Sequence, residues 1–160
     1  MKTIVYPGSF DPVTNGHLNI IERSAKIFDR VVVAVLHNTA KKPLFSIEER
    51  MDMLKRVTVN FENVEIDCFS GLLTDYMKQN DYQLVVKGLR VHADFEMELN
   101  MELMNKKLNN NIETLFMMTD NKYGYVSSSA VKEVARFNGD ISDFVPEYVE
   151  HKLQGKYGGI

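Results

Sequence analysis

The chain has 160 residues, 44% hydrophobic and 26% charged, which are the proportions of a globular protein able to bury a core. A formal net charge of -3 excludes the broad basic field of a nucleic-acid or anionic-membrane binder, although local basic spots can still hold phosphates. Cys68 is the only cysteine, so no internal disulfide is possible; with no signal-peptide pattern and no apolar run near the ~20 residues of a membrane span, a cytoplasmic location is expected.

The first element is a short strand, "KTIVY", followed by the loop "PGSFDPVTNG" and a helix in which Leu18, Ile21, Ala25 and Phe28 keep the helical period. Further strands are expected at "RVVVAVL" (30–36), "NVEIDCF" (63–69), "QLVVKG" (83–88) and "TLFMM" (114–118). Several are apolar without alternation, as in strands buried on both faces of a parallel sheet. "SIEERMDMLKRV" opens with Ser46 and Glu49 in capping-box spacing, and "LLTDYMKQN" reads as a short crossover helix. Residues 93–108 partly alternate like a strand, but their length and their Met, Leu and Glu content favour a helix. "SSAVKEVARF" and a segment from about Pro146 supply the last helices. The β-α-β order predicts an α/β fold: a Rossmann-like, doubly wound, five-stranded parallel sheet flanked by helices, in one domain over 1–160.

In such sheets ligands bind at the carboxyl ends of the strands, and four junctions there carry suitable chemistry. In the first, Gly8 and Gly16 permit close backbone approach and unusual dihedrals, and His17 lies on the first turn of a helix whose N–H groups suit a phosphate. The bland reading of His17 is a solvated or capping residue. The second junction holds Lys41 and Lys42, which in a loop are usually solvated surface. The third, "VVKGLR", brackets Gly88 with Lys87 and Arg90: either a phosphate cradle or a turn with exposed charges. The fourth places Ser127, Ser128 and Ser129 before a helix, as an N-cap or as a second phosphate site. Neither G-x-x-x-x-G-K-[ST] nor G-x-G-x-x-G is present, which disfavours a P-loop kinase or an ordinary dehydrogenase. Cys68 is expected in the core, as are Met97, Met101 and Met104, whose stripe could also line a pocket. His37, His92 and His151 lack metal-ligand spacing, so no protein-held metal is expected.

"TNGH" (14–17) resembles the T/H-x-G-H signature of the nucleotidyltransferase superfamily, and "VSSSAVKEV" resembles its second signature. Over nearly the whole chain, "YPGSFDPVTNGH", "KKPLFSIEER", "KGLRVHADFEMELNM", "LMNKKL" and "SSSAVKEVARFNGDISDFVPEYV" are similar to the bacterial phosphopantetheine adenylyltransferase family. The resemblance implies transfer of an adenylyl group from ATP to 4'-phosphopantetheine with Mg2+, giving dephospho-coenzyme A and pyrophosphate. It also implies a cytoplasmic homohexamer with coenzyme A as a feedback ligand, and no nucleic-acid or membrane partner.

Residue by residue, the resemblance puts Ser9 at both substrates, Phe10 at ATP through its backbone, and His17 at the α-phosphate as the stabiliser of the transition state. Lys41, Leu73, Lys87 and Asn105 match positions at phosphopantetheine. Gly88, Leu89, Arg90 and Glu98 match ATP contacts, as do Tyr123, Gly124, Tyr125, Val126, Ser127, Ser128 and Ser129. Ser9 and Lys87 depart mildly from the family pattern, Lys87 standing where many members have Arg. The inventory agrees with this chemistry. A phosphate nucleophile is already anionic near neutral pH, with a second pKa of about 6, so no serine or cysteine nucleophile and no strong base is needed. Two alternatives remain at this point: a related transferase acting on nicotinamide mononucleotide or a phosphoalcohol, and a nucleotide-binding regulatory module without catalysis.

Overall fold

A computed structural model describes residues 1–38 and 42–158, and of residues 92 and 93 the backbone only. Lys41 therefore lies outside the described residues. Strands β1 (Thr3–Gly8), β2 (Arg30–Leu36), β3 (Val64–Phe69), β4 (Leu84–Leu89) and β5 (Glu113–Met118) form one parallel sheet in the order β3-β2-β1-β4-β5. Helices α1 (Asn15–Ile27), α2 (Ile47–Val57), α3 (Leu73–Gln79), α4 (His92–Leu108), α5 (Ser128–Arg136) and α6 (Glu147–Tyr157) flank it, and Asn121–Tyr123 form one 3-10 turn.

Alternation along β1 and β2 sends side chains to two separate cores. Ile4, Tyr6, Val31, Val33 and Val35 pack with Ile20, Ile21, Met53, Leu54, Val131 and Val149 on the face of α1, α2, α5 and α6. Val5, Val32, Ala34 and Val85 pack with Tyr76, Met77 and Ile112 on the other. Apolar cover on both faces explains the near-continuous apolar runs of these central strands.

The chain winds outward from β1 to β3, then returns to place β4 on β1's other side. The β1–β4 ladder is short: only Ile4↔Leu84 and Val5↔Val85 are in register, whereas β1 runs beside β2 over its whole length. Beyond Val5 and Val85 the strands part, and a crevice opens at the switch point.

Two expectations about burial fail. Cys68 is exposed, on the edge strand β3. Met97, Met101 and Met104 are also exposed, at 68%, 52% and 62%, whereas Glu102 and Asn105 of the same helix are buried. Helix α4 thus turns a polar face to β4 and β5 and its methionines outward, and Met97 lines a cavity.

Asp11 ties the β1–α1 loop to two other elements. Its carboxylate accepts the N–H groups of Leu44 (3.0 Å) and Phe45 (2.9 Å) and pairs with Lys132 Nζ of α5 at 2.9 Å. Burial opposes its charge, but the Lys132 and backbone hydrogen bonds outweigh burial and hold its pKa below the usual range. The stabilisation is complete above the ordinary aspartate pKa of ~3.9 and is lost as pH falls from there through the lower folded value. Asp11→Ala should cost about 2–4 kcal/mol, since it strands Lys132 and two N–H groups. Urea unfolding at neutral pH checks this, and the deficit should shrink in acid.

Candidate active site

The crevice is a cleft of about 250 Å³ at the carboxyl ends of β1 and β4, walled by the N-terminal turns of α1, α4 and α5. Its floor begins at β1. Phe10 adopts φ 48, the left-handed region uncommon for a bulky residue, and its ring folds back over the strand end. A Cβ at Gly8 would stand 2.9 Å from that ring, so the glycine is required by close approach. The unusual dihedral expected of Gly8 or Gly16 belongs to Phe10 instead. The Phe10 ring meets Tyr6 and His17 edge-on, with centroids 5.3 and 5.0 Å apart. Burial, then the charge of Glu98, raises the pKa of the Tyr6 hydroxyl, so it stays protonated.

His17 is the third residue of α1 and completes a reciprocal capping box with Thr14. Its own N–H points to Thr14 Oγ1 (3.4 Å), while the Thr14 N–H donates to His17 Nδ1 at 3.0 Å. A nitrogen that accepts an amide N–H carries no proton, so in the neutral ring the proton is on Nε2. Burial, and secondarily the charge of Arg90, lower the pKa of His17 to about 4. At physiological pH the ring is therefore a neutral, oriented N–H donor at the cleft.

Arg90 follows β4 and is fixed on three sides. Its Nε and Nη2 donate to the two carboxylate oxygens of Asp94, both at 2.9 Å, and Nη1 donates to the Val126 carbonyl at 3.1 Å. Burial disfavours the Asp94 charge, but the Arg90 hydrogen bonds prevail and hold its pKa low. Lys87 reaches the cleft from β4 and pairs with Glu98 (3.1 Å) and Glu102 (4.0 Å). A Cβ at Gly88 would lie 2.9 Å from Ile20, so β4 and α1 touch directly behind the cleft.

The serines act first as fasteners. Ser127 caps α5 by accepting the Ala130 N–H (3.1 Å), and the Ser128 hydroxyl donates to the Pro12 carbonyl (2.8 Å). Both are spoken for as hydrogen-bonding groups, which leaves no activated serine nucleophile among these two.

Of the residues singled out in the sequence, Gly8, Phe10, Gly16, His17, Lys87, Gly88, Arg90, Met97, Glu98, Val126, Ser127 and Ser128 line this one cleft. Others stand around or behind it. Ser9 is exposed at the β1 end, with its carbonyl accepting Arg50 Nη1 at 2.8 Å. Leu89 is buried at the end of β4, and Asn105 is buried on α4. Tyr123 and Gly124 sit in and after the 3-10 turn, Tyr125 projects against Phe144, and Ser129 is exposed. Leu73 opens α3 and packs against the second core, away from the cleft lining. Sequence reasoning missed Tyr6, Thr14, Asp94 and Thr119 in the lining. Two had a readable signal: Thr14 precedes His17 at capping-box spacing, and Asp94 stands four residues after Arg90, within reach of an ion pair. Among the described residues, no group of three His, Cys, Asp or Glu side chains is placed to hold a metal ion.

A parallel sheet with an oriented imidazole and two cations at its switch point is the framework of a nucleotide-handling α/β protein, and the cytidylyltransferase-like family model matches residues 5–134. Among curated relatives, phosphopantetheine adenylyltransferase of Clostridium botulinum is 60% identical over 156 residues, covering 98% of this chain and 95% of the relative. The enzyme of that name from Caldanaerobacter subterraneus subsp. tengcongensis is 55% identical, covering 98% of each chain. A crystal structure described as a putative nicotinate-nucleotide adenylyltransferase from Vibrio parahaemolyticus superposes with TM-score 0.72 at 15% identity, covering 100% of this chain and 98% of that one; this likeness is one of fold. The chain belongs to the cytidylyltransferase-like family and, within it, to the phosphopantetheine adenylyltransferases.

The His17 geometry is open to a direct check. Long-range 1H–15N spectra should show an Nε2–H tautomer and a titration midpoint near 4, well below the ordinary histidine value of ~6.5. A midpoint near 6.5 with mixed tautomers would contradict the capping geometry.

Proposed function

We propose that this protein transfers the adenylyl group of ATP to 4'-phosphopantetheine, releasing pyrophosphate and forming dephospho-coenzyme A, the penultimate step of coenzyme A synthesis. The observation that carries the reading is the convergence of His17, Lys87 and Arg90 on one cleft, in a chain 60% identical to a phosphopantetheine adenylyltransferase. An oxygen of the pantetheine 4'-phosphate attacks the α-phosphorus of ATP in line. The new P–O bond forms as the bond to the β-phosphate oxygen breaks, and the electron pair leaves with pyrophosphate. The nucleophile is already an anion, so no protein base is required. What the cleft supplies is placement and charge neutralisation.

His17 donates its Nε2–H to the α-phosphate as charge builds there. Lys87 holds the phosphate of phosphopantetheine, and so does Lys41, which lies outside the described residues. Arg90 has N–H groups left over after Asp94 and Val126 for the ATP phosphates. Ser9 serves both substrates, Leu73 and Asn105 the pantetheine arm. Phe10, Gly88, Leu89, Glu98 and the segment Tyr123, Gly124, Tyr125, Val126, Ser127, Ser128 and Ser129 complete the ATP site. The domain is a single unit over 1–160.

The cleft's carboxylates are engaged with Lys87 and Arg90 and do not compose a protein-held cation site. Mg2+ therefore enters as part of the substrate, bound to the phosphates of ATP. Coenzyme A, which carries the pantetheine arm and adenylate of the product, is a feedback ligand of the same cleft. No helix among the described residues is long and apolar enough to cross a membrane, and a cytoplasmic location fits this substrate set. The exposed Met101, Leu103, Met104 and Leu108 of α4, with Leu115 and Met118 of β5, support a homohexamer in which this apolar face is covered.

His17→Ala should lower kcat by roughly 10²–10³, the size of one transition-state donor, with a much smaller change in ATP affinity. Pyrophosphate release from ATP, Mg2+ and phosphopantetheine measures it, and parallel reactions with nicotinamide mononucleotide test the acceptor. Turnover within a few-fold of the unsubstituted protein would remove His17 from the chemistry. Light scattering should give a mass near six chains; a monomer at micromolar concentration would count against the assembly but not against the activity.

A further inference from the structure

Glu102 has no task in the scheme above, yet it is 8% exposed and carries a carboxyl group into the space between α4 and the sheet. Burying a carboxylate is costly unless it is paired and hydrogen-bonded. Here it is both. The Thr114 hydroxyl of β5 donates to Oε2, Asn105 Nδ2 donates to Oε1 at 3.3 Å, and Lys87 Nζ stands 4.0 Å from Oε1. The register explains the meeting. Thr114 lies opposite Val85, and Lys87, two residues further along β4, shares that face with Val85.

Glu98, one turn earlier on α4, is the nearer partner of Lys87 at 3.1 Å, but it is the more exposed of the two, at 29% against 9% for the side chains. Glu98 also has no partner besides Lys87 among the described hydrogen bonds and ion pairs, and it borders the cleft itself. An incoming phosphate would sit against the same ammonium and repel Glu98, which is free to swing away. Glu102 is locked by Thr114 and Asn105 and stays.

A lysine ammonium is a point charge on a flexible stem, without the preorganised fork of an arginine. It needs a fixed counter-charge to hold it where the phosphate arrives. We propose that Glu102 is a positioning residue that anchors Lys87 at the phosphopantetheine phosphate, with Thr114 as its own support, while Glu98 is the partner exchanged for substrate. This rests on the proposed role of Lys87.

The test is a double-substitution cycle on the full-length protein, with each substrate varied separately. Glu102→Gln should raise KM for phosphopantetheine by about tenfold or more and leave KM for ATP within about twofold, because the loss is one of placement at a single phosphate. In a Lys87→Met background the same change should add nothing further to KM for phosphopantetheine, since residues acting through one another are not additive. Thr114→Val should reproduce the Glu102→Gln pattern more weakly, and it serves as the reporter if Glu102→Gln does not fold. If Lys87→Met impairs phosphopantetheine use and Glu102→Gln and Thr114→Val do not, the inference falls while the role of Lys87 stands. If Lys87→Met itself leaves KM for phosphopantetheine unchanged, the role of Lys87 falls and the inference with it. Equal losses for both substrates, or an undiminished Glu102→Gln effect in the Lys87→Met background, would mark Glu102 as structural only and overturn the proposal.

Discussion

The ladder between β1 and β4 stops after two residue pairs, and the functional geometry hangs on that interruption. β1 stays paired with β2, and β4 with β5, to the ends of the strands. The sheet is therefore rigid on either side of a seam that is open at one end. Because the chain crosses from one half of the sheet to the other at this seam, no connecting loop closes it. Into the gap come the first turn of α1, the residues after β4, and the N-terminus of α5. Each brings backbone N–H groups or a cationic side chain, so topology gathers groups suited to an anion at the cleft.

The elements that border this gap are tied to their neighbours by polar side chains. Arg50, at 2% exposure, donates from one nitrogen to the Ser9 and Leu36 carbonyls, fastening the ends of β1 and β2. Asp11 fastens the β1–α1 loop to the segment before α2 and to α5, and Asn19 and Asp120 exchange hydrogen bonds that hold α1 to the segment after β5. These contacts join elements far apart in sequence, and one of them, from Arg50, is made to the backbone of Ser9. They brace the ends of β1 and β2 and the segment after β5, and His17 and Arg90 are held by further hydrogen bonds of their own.

The parallel sheet was legible because its central strands are covered on both faces, which leaves uninterrupted apolar runs such as Val31–Val35. The Ser46–Glu49 capping box was legible because it is a local signal and forms as written. Helix α4 was misread in one respect. Hydrophobic periodicity assumes that the apolar stripe faces the protein's own core, whereas this helix spends its inner face on Glu102 and Asn105 and leaves Met101 and Met104 outside. Cys68 failed for a related reason: a strand's composition does not say whether it lies in the middle of a sheet or at its edge. At the site, the residue types at strand ends were visible, but the pairings were not. That Lys87 answers to Glu98 and Glu102, or that Asp11 answers to Lys132, depends on side chains brought together by the fold.

The interlock of Gly8, Phe10 and His17 bears on how freely this loop can drift. Phe10 holds a left-handed backbone that a glycine would adopt more easily, yet a glycine would remove the ring that His17 and Tyr6 pack against. Any side chain at Gly8 collides with that same ring. A histidine replaced at 17 takes away both the capping partner of Thr14 and the edge contact of Phe10. Each position is thus held in place by the other two, and no single exchange among them leads to a comparably packed alternative. The methionine face of α4 is held differently: neighbours in the same chain impose little on it, and its constraint would come from the subunit that covers it. Related sequences should accordingly keep the strand-to-helix turn at the cleft nearly still, with change gathered at exposed positions outside both the cleft and that face.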